Sequence, residues 1–267
     1  MEADAAESEI IAMAQQEIFI GRIRKALGIT LDDAKKRSDI LAGPLTREYQ
    51  AALEAVRSRT LREQDALIKT LKEKGTPLNI RVSEMPDLRS VSDAIAALIS
   101  EREPEWGDRR GVVAWKHPLV EALNLPSVLA SFSLPIRIAD PASSDENRML
   151  FRKDAGEALL GVTSADYCIA ESATLVIKSR PGHPRSASLL PTIHAAVVRS
   201  DQILKNTREL YALFSTSEEG LRNSTILITG PSKTADIEAT LVHGAHGPRE
   251  LHLFILTDRT GRQDERK

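Results

Sequence analysis

Three stretches hold the residues whose types and spacing could do chemistry. In STILITGPSKTADIEATLVHGAHGP, ending at Pro248, a β-branched run from Thr225 to Thr229 turns at Gly230-Pro231, and Ser232, Lys233 and Thr234 follow at once. A strand feeding a helix there gathers backbone N–H groups, hydroxyls and an ammonium, which together bind a carboxylate or phosphate. The spacing is not that of a phosphate-binding G-x-x-x-x-G-K-[ST] loop. Plain capping explains the same residues without a ligand, with Thr234 as N-cap and Asp236 and Glu238 complementing the helix dipole. His243 and His246, with Asp236 and Glu238 upstream, are metal-ligand types, yet neither the four ligands of structural zinc nor the three of catalytic zinc can be counted from them. No metal is expected.

The second stretch is GVTSADYCIAESATLVIKSRPGHPR, residues 161–185. Glu171 falls between two strand-like runs, YCIA and ATLVIKS, so its carboxylate is a candidate acid, base or nucleophile at a strand end. The alternative is a turn carboxylate paired with Lys178 or Arg185. Arg180, His183 and Arg185 form a basic, proline-stiffened loop that either closes over an acidic ligand or is simply solvated. Cys168 lies in an apolar run with no flanking base and reads as buried rather than reactive. In the third stretch, SLLPTIHAAVV, His194 opens an apolar run. It is either a core imidazole or a cleft residue facing Glu171.

The elements that must position these residues begin with a helix over residues 9–27, stopped by Gly28, and a second helix capped by Thr46 and ending near Gly75-Thr76-Pro77. From residue 78 short apolar runs alternate with helix-like or turn-rich segments: LNIRV, GVVAW, PIRIA, YCIA, ATLVIKS, HAAVV, STILITG and ELHLFIL. That alternation predicts a mixed or parallel sheet covered by helices. SVSDAIAALISER, residues 90–102, is the clearest interior helix; DPASSDENR and STSEEGLRNS read as surface loops. The expected organisation is an N-terminal helical segment over 1–75, an α/β domain over 76–258 and a loose tail over 259–267.

Bulk properties narrow the function. The 267 residues are 42% hydrophobic and 28% charged, values of a globular chain with a sizeable core. A formal net charge of -2, with three Tyr and five Phe, gives neither the field nor the stacking platforms that nucleic acid requires. One cysteine cannot form an internal disulfide or hold an iron–sulfur cluster. The acidic start MEADAAESEIIAMAQQE lacks the basic n-region of a secretory signal, and no segment reaches the length of a membrane span. A cytoplasmic protein without membrane insertion is expected.

Taken together, GVTSADYCIAESATLVI, SLLPTIHAAVV and ITGPSKTADIEATLVHGAHGPRELHLFIL, with FIGRIRKALG near the start, resemble the LUD-domain family, its C-type lactate-utilisation members in particular. The resemblance implies a Rossmann-like α/β sandwich of the ribose-phosphate isomerase and CoA-transferase type, with the N-terminal helices packed on it. It also implies a part in oxidising L-lactate to pyruvate beside partner subunits that carry iron–sulfur clusters, this chain binding no cofactor itself. On residues, it points to Glu171 and His194 as catalytic. Thr163, Asp166, Gly230, Pro231, Ser232, Thr234, Asp236 and His246 match as ligand-binding positions for a small carboxylate or phosphorylated metabolite, joined by Lys233 and Arg185 from the readings above. Where the family commonly has Glu-Thr-Gly-Thr, this chain has Glu171-Ser172-Ala173-Thr174, and Ala does not adopt positive φ cheaply. Lys233 stands where Arg is frequent, keeping charge without the bidentate fork, and His243 replaces an apolar residue. The alternatives are a stand-alone isomerase or CoA-transferase-like enzyme using Glu171, which rests on fold analogy, and a non-catalytic assembly module docking partners through its N-terminal helices.

Overall fold

Six strands, the inner four buried on both faces, build the central sheet of the computed structural model, which describes residues 18–28, 46–103, 110–142, 144–216, 224–237, 240–243 and 247–257. They are β1 (Ile80–Met85), β2 (Gly111–Ala114), β3 (Ile136–Ile138), β4 (Ala158–Ser164), β7 (Ile193–Arg199) and β12 (Glu250–Leu256), ordered β1-β12-β7-β4-β2-β3 and all parallel. Every residue of β4 is buried, as a strand covered on both faces must be. The mixed α/β class is the one expected. β4 itself is absent from the apolar runs read as strands, because helix α6 (Asp145–Glu157) passes into it without a loop. That helix also corrects the loop reading of DPASSDENR: Ser144 caps it, its side chain accepting from the Asn147 N–H at 3.3 Å.

A smaller sheet lies against one face. Its strands are β5 (Tyr167–Ile169), β6 (Thr174–Lys178), β8 (Ile203–Leu204) and β9 (Thr225–Ile228), ordered β8-β5-β6-β9. Between the sheets, Val113, Ala196, Leu253 and Ile255 meet Leu175, Ile177 and Cys168. Helix α2 (Leu61–Gly75) adds Ile68 and Leu71 to this layer, each worth about 1.5–3 kcal/mol of buried apolar surface. On the opposite face of the six-stranded sheet, α3 (Leu88–Glu101) and the short α4 (Pro118–Glu121) and α5 (Leu125–Val128) pack Ile95, Ile99, Leu119 and Leu125 against Leu160 and Val197. Outside the smaller sheet, α8 (Thr207–Thr216) and α1 (Arg47–Arg57) cover Ile169 and Val176.

The single helix expected from Thr46 to Gly75 is two. Thr60 and Glu63 form a reciprocal capping box that starts α2 afresh, and Arg59, in the break, reaches Glu209 of α8 at 2.6 Å. Near the N-terminus, residues 18–26 are helical and Gly28 takes φ +66, the stop expected of it; residues 9–17 lie outside the described set. Residues 1–46 and 47–267 are separate compact units. Among the described residues no helix is long and apolar enough to cross a membrane.

Candidate functional site

Strand β7 turns Ile193, Ala195 and Val197 toward the helix layer and Ala196 and Val198 toward the smaller sheet, so the period of two puts His194 on the smaller-sheet side. Beside it runs β4, with Gly161 in register with His194 and Thr163 two residues further. Thr163 Oγ1 lies 2.8 Å from His194 Nε2, and both side chains are fully buried. Burial pushes the imidazole down to about 3, so the ring is neutral at neutral pH. Its other nitrogen, Nδ1, is buried without a hydrogen-bond partner among the described residues. An unmet polar atom costs about 1–3 kcal/mol and asks for an explanation.

His194 lines a cavity of about 280 Å³ enclosed by Ser188, Leu189, Thr229, Gly230, Ser232 and Leu251, among others. Two glycines make these walls possible. A Cβ on Gly161 would sit 1.9 Å from the Ala187 carbonyl oxygen, so only glycine lets the short helix α7 (Ser186–Leu189) lie directly on β4. Gly230 has φ +90 and its Cβ would meet Leu78 O at 2.9 Å. The Ser232 N–H donates to Pro248 O at 2.8 Å and pins the corner to the chain entering β12.

The helix expected after Gly230-Pro231 is not there. The chain continues as a hairpin of β10 (Lys233–Ile237) and β11 (Thr240–His243), in which Lys233 pairs with His243 and Thr234 with Val242. Thr234, Ile237, Thr240 and Val242 are β-branched and suit strands. The corner therefore has no helix dipole, and its charge is the Lys233 ammonium, exposed and 3.4 Å from Leu78 O. Thr234 and Asp236 lie on β10; His246 is outside the described residues.

Glu171 sits exposed at the tip connecting β5 and β6, its N–H donating to Lys205 O at 3.1 Å, and it does not line the His194 cavity. A chain of hydroxyls links that tip to the corner: Ser172 Oγ to Thr174 Oγ1 at 2.7 Å and Thr174 Oγ1 to Thr229 Oγ1 at 2.7 Å. Ala173 occupies φ +47, so the turn keeps a left-handed shape at a residue that disfavours it by about 1–2 kcal/mol. Asp166 is at the other end of β4, where it accepts from the Lys178 N–H at 2.8 Å and from Arg180 at 2.7 Å. Arg185 is exposed just before α7, and its carbonyl accepts from Ser188 Oγ at 3.0 Å. The structure thus unites Thr163, His194, Gly230, Pro231 and Ser232, and places Glu171, Asp166 and Arg185 apart from them. Ser188 and Thr229 were not singled out from the sequence, which has no signal bringing their segments together.

Beyond the C-terminal ends of β2 and β4, the loop 179–184 packs back on the sheet. His183 stacks on Trp115 at 4.5 Å between ring centroids, and the Lys116 N–H donates to Gly182 O at 3.1 Å. Burial, then the neighbouring His117, pushes the His183 imidazole down. Among the described residues, no three His, Cys, Asp or Glu side chains cluster as a metal site. Cys168 is buried, and burial raises its thiol far above the ordinary range.

The family model of the LUD domain matches residues 68–256, from within α2 to the last residue of β12. The chain belongs to the LUD domain family. Lactate utilization protein C of Halalkalibacterium halodurans is 31% identical over 244 residues, covering 90% of this chain and 94% of that protein. The protein of the same name from Macrococcus caseolyticus is 28% identical over 201 residues, covering 73% and 80%. A solved DUF162 family protein from Deinococcus radiodurans aligns with a TM-score of 0.47 at 20% identity, over 72% of this chain and 98% of that one. In this LUD domain the matched span contains both sheets, the His194 cavity and the loop 179–184.

Proposed function

We propose that this LUD-domain chain is a lactate-utilisation subunit of the C type. It acts with iron–sulfur partner proteins in the oxidation of L-lactate to pyruvate and holds a small carboxylate in the His194 cavity. The observation that carries the reading is the similarity to lactate utilization protein C of H. halodurans along nearly the whole of both chains. In this reading the partners move the electrons, because a lone cysteine falls short of the several thiolates a cluster needs.

The chemistry of the cavity supports such a ligand. With the Thr163 hydroxyl donating to Nε2, the neutral ring carries its proton on Nδ1 and offers a donor to the C2 oxygen of a hydroxy or oxo acid. Leu189, Ile228 and Leu251 suit a methyl group. A carboxylate buried without a cation is costly, so it sits at the mouth, where the Lys233 side chain swings in from its long contact with Leu78 O.

The test combines genetics and binding. Deletion of the gene in its native host is expected to abolish growth on L-lactate, wild-type chain to restore it, and H194Q or K233M to restore it poorly. Affinity capture from lactate-grown cells is expected to recover iron–sulfur proteins. Unimpaired growth of the deletion strain, with no iron–sulfur protein captured, removes the lactate role. Full complementation by both H194Q and K233M removes the cavity from it.

A further inference from the structure

A second, larger cavity lies at the far edge of the six-stranded sheet, where β3 ends. Its volume is about 460 Å³, and Arg137 of β3, Arg148 of α6 and Arg180 of the loop 179–184 all line it. Their acidic partners are Asp154, Asp145 and Asp166 respectively, and none of these belongs to the lining. The carboxylate that does is Asp140, whose Oδ1 accepts from the Ala142 N–H at 2.9 Å. Three arginines therefore line the space beside one acid, each guanidinium held by a carboxylate that lies outside the lining. Phe151 and Ile138 supply an apolar wall.

The topology gives this place a reason. From β2 the chain moves outward to β3 by way of α4 and α5 on one face, while from β4 it moves the other way to β7 by way of the smaller sheet and α7 on the opposite face. In parallel sheets ligands bind outside the carboxyl ends of strands at such a reversal. Here the chain's own loop fills that crevice, with His183 on Trp115 and Pro184 O accepting from Trp115 Nε1 at 3.0 Å. The cavity is the open space on the other side of the same loop.

We infer that this cavity is a binding site for a phosphate ester that carries a ring or other bulky body, of nucleotide size. The guanidinium forks of Arg148 and Arg137, with Arg180 beside them, match phosphate oxygens in pairs. The body lies on Phe151 and Ile138, and a hydroxyl donates to Asp140. The volume is in the range that encloses a ligand much larger than a three-carbon acid. This site shares no lining residue with the His194 cavity, so it stands or falls independently of the lactate reading.

The experiment is calorimetric titration of the full chain with ADP, inorganic pyrophosphate and inorganic phosphate. Wild type is expected to bind ADP more tightly than pyrophosphate, and phosphate most weakly. R148E, an exposed change on α6, is expected to weaken ADP at least about tenfold. D140N is expected to weaken ADP several-fold while leaving pyrophosphate unchanged, because only the ester offers a hydroxyl. H194Q is expected to bind ADP as wild type does. The inference is overturned if wild type does not bind ADP at millimolar concentration, if R148E and D140N both bind it normally, or if pyrophosphate binds as tightly as ADP.

Discussion

Replacing His194 by Gln should flatten the acid limb of the stability curve. In the folded chain burial moves this imidazole from 6.5 to about 3, whereas the unfolded ring takes up a proton once the pH falls below about 6.5. The folded value is the depressed one, so the unfolded state binds more protons between the two. The stability tied to a neutral His194 is therefore present in full above pH 6.5 and is lost as the pH falls toward 3. At about 1.4 kcal/mol per pH unit the whole window corresponds to about 5 kcal/mol, and about 2 kcal/mol of it is gone by pH 5. Burial also lowers His117, His183 and His252, which bend the curve the same way, so a single profile does not isolate His194. The assay is urea unfolding of wild type and H194Q at pH 8 and pH 5. Wild type should lose about 2 kcal/mol more than the variant between the two. Equal losses would refute the reasoning, as would an NMR titration of the native protein in which the His194 ring gains its proton near pH 6.5.

Three further changes test how the site is supported. The pair Arg59–Glu209 is buried, and Arg59 also donates to Ile203 O at 3.0 Å; E209A should cost about 3–5 kcal/mol in urea unfolding by stranding a buried guanidinium, and R59M/E209L should recover part of it. G161A drives a methyl into the Ala187 carbonyl, so it should lower stability by at least about 1–3 kcal/mol and abolish ligand binding at the His194 cavity, measured by thermal melting and calorimetry. T60A removes one half of the α2 capping box and should cost about 1 kcal/mol while leaving ligand binding intact.

Much of the sheet was legible because strands buried on both faces must be apolar throughout. HAAVV and ELHLFIL read as strands for that reason and became β7 and β12. The same rule applies to ALLGV in β4, yet it follows α6 with no loop between them, and Gly156, the one break signal, lies within the helix. The break at Thr60 was missed, because its Thr-x-x-Glu signature sits inside a longer pattern of helical spacing. The residues after Gly230-Pro231 were not legible either, because a short segment satisfies helix and strand patterns alike and pairing within the hairpin decides between them.

The sequence by itself determined the α/β class and the apolar setting of Cys168, which follow from local pattern, and its motifs carried the resemblance to the family. Only the tertiary structure decided that His194 faces Ser232 rather than Glu171, and that Arg137, Arg148 and Arg180 line one space. The reason is geometric: a cavity is formed where segments far apart in the chain meet, and their separation in sequence carries no trace of that meeting.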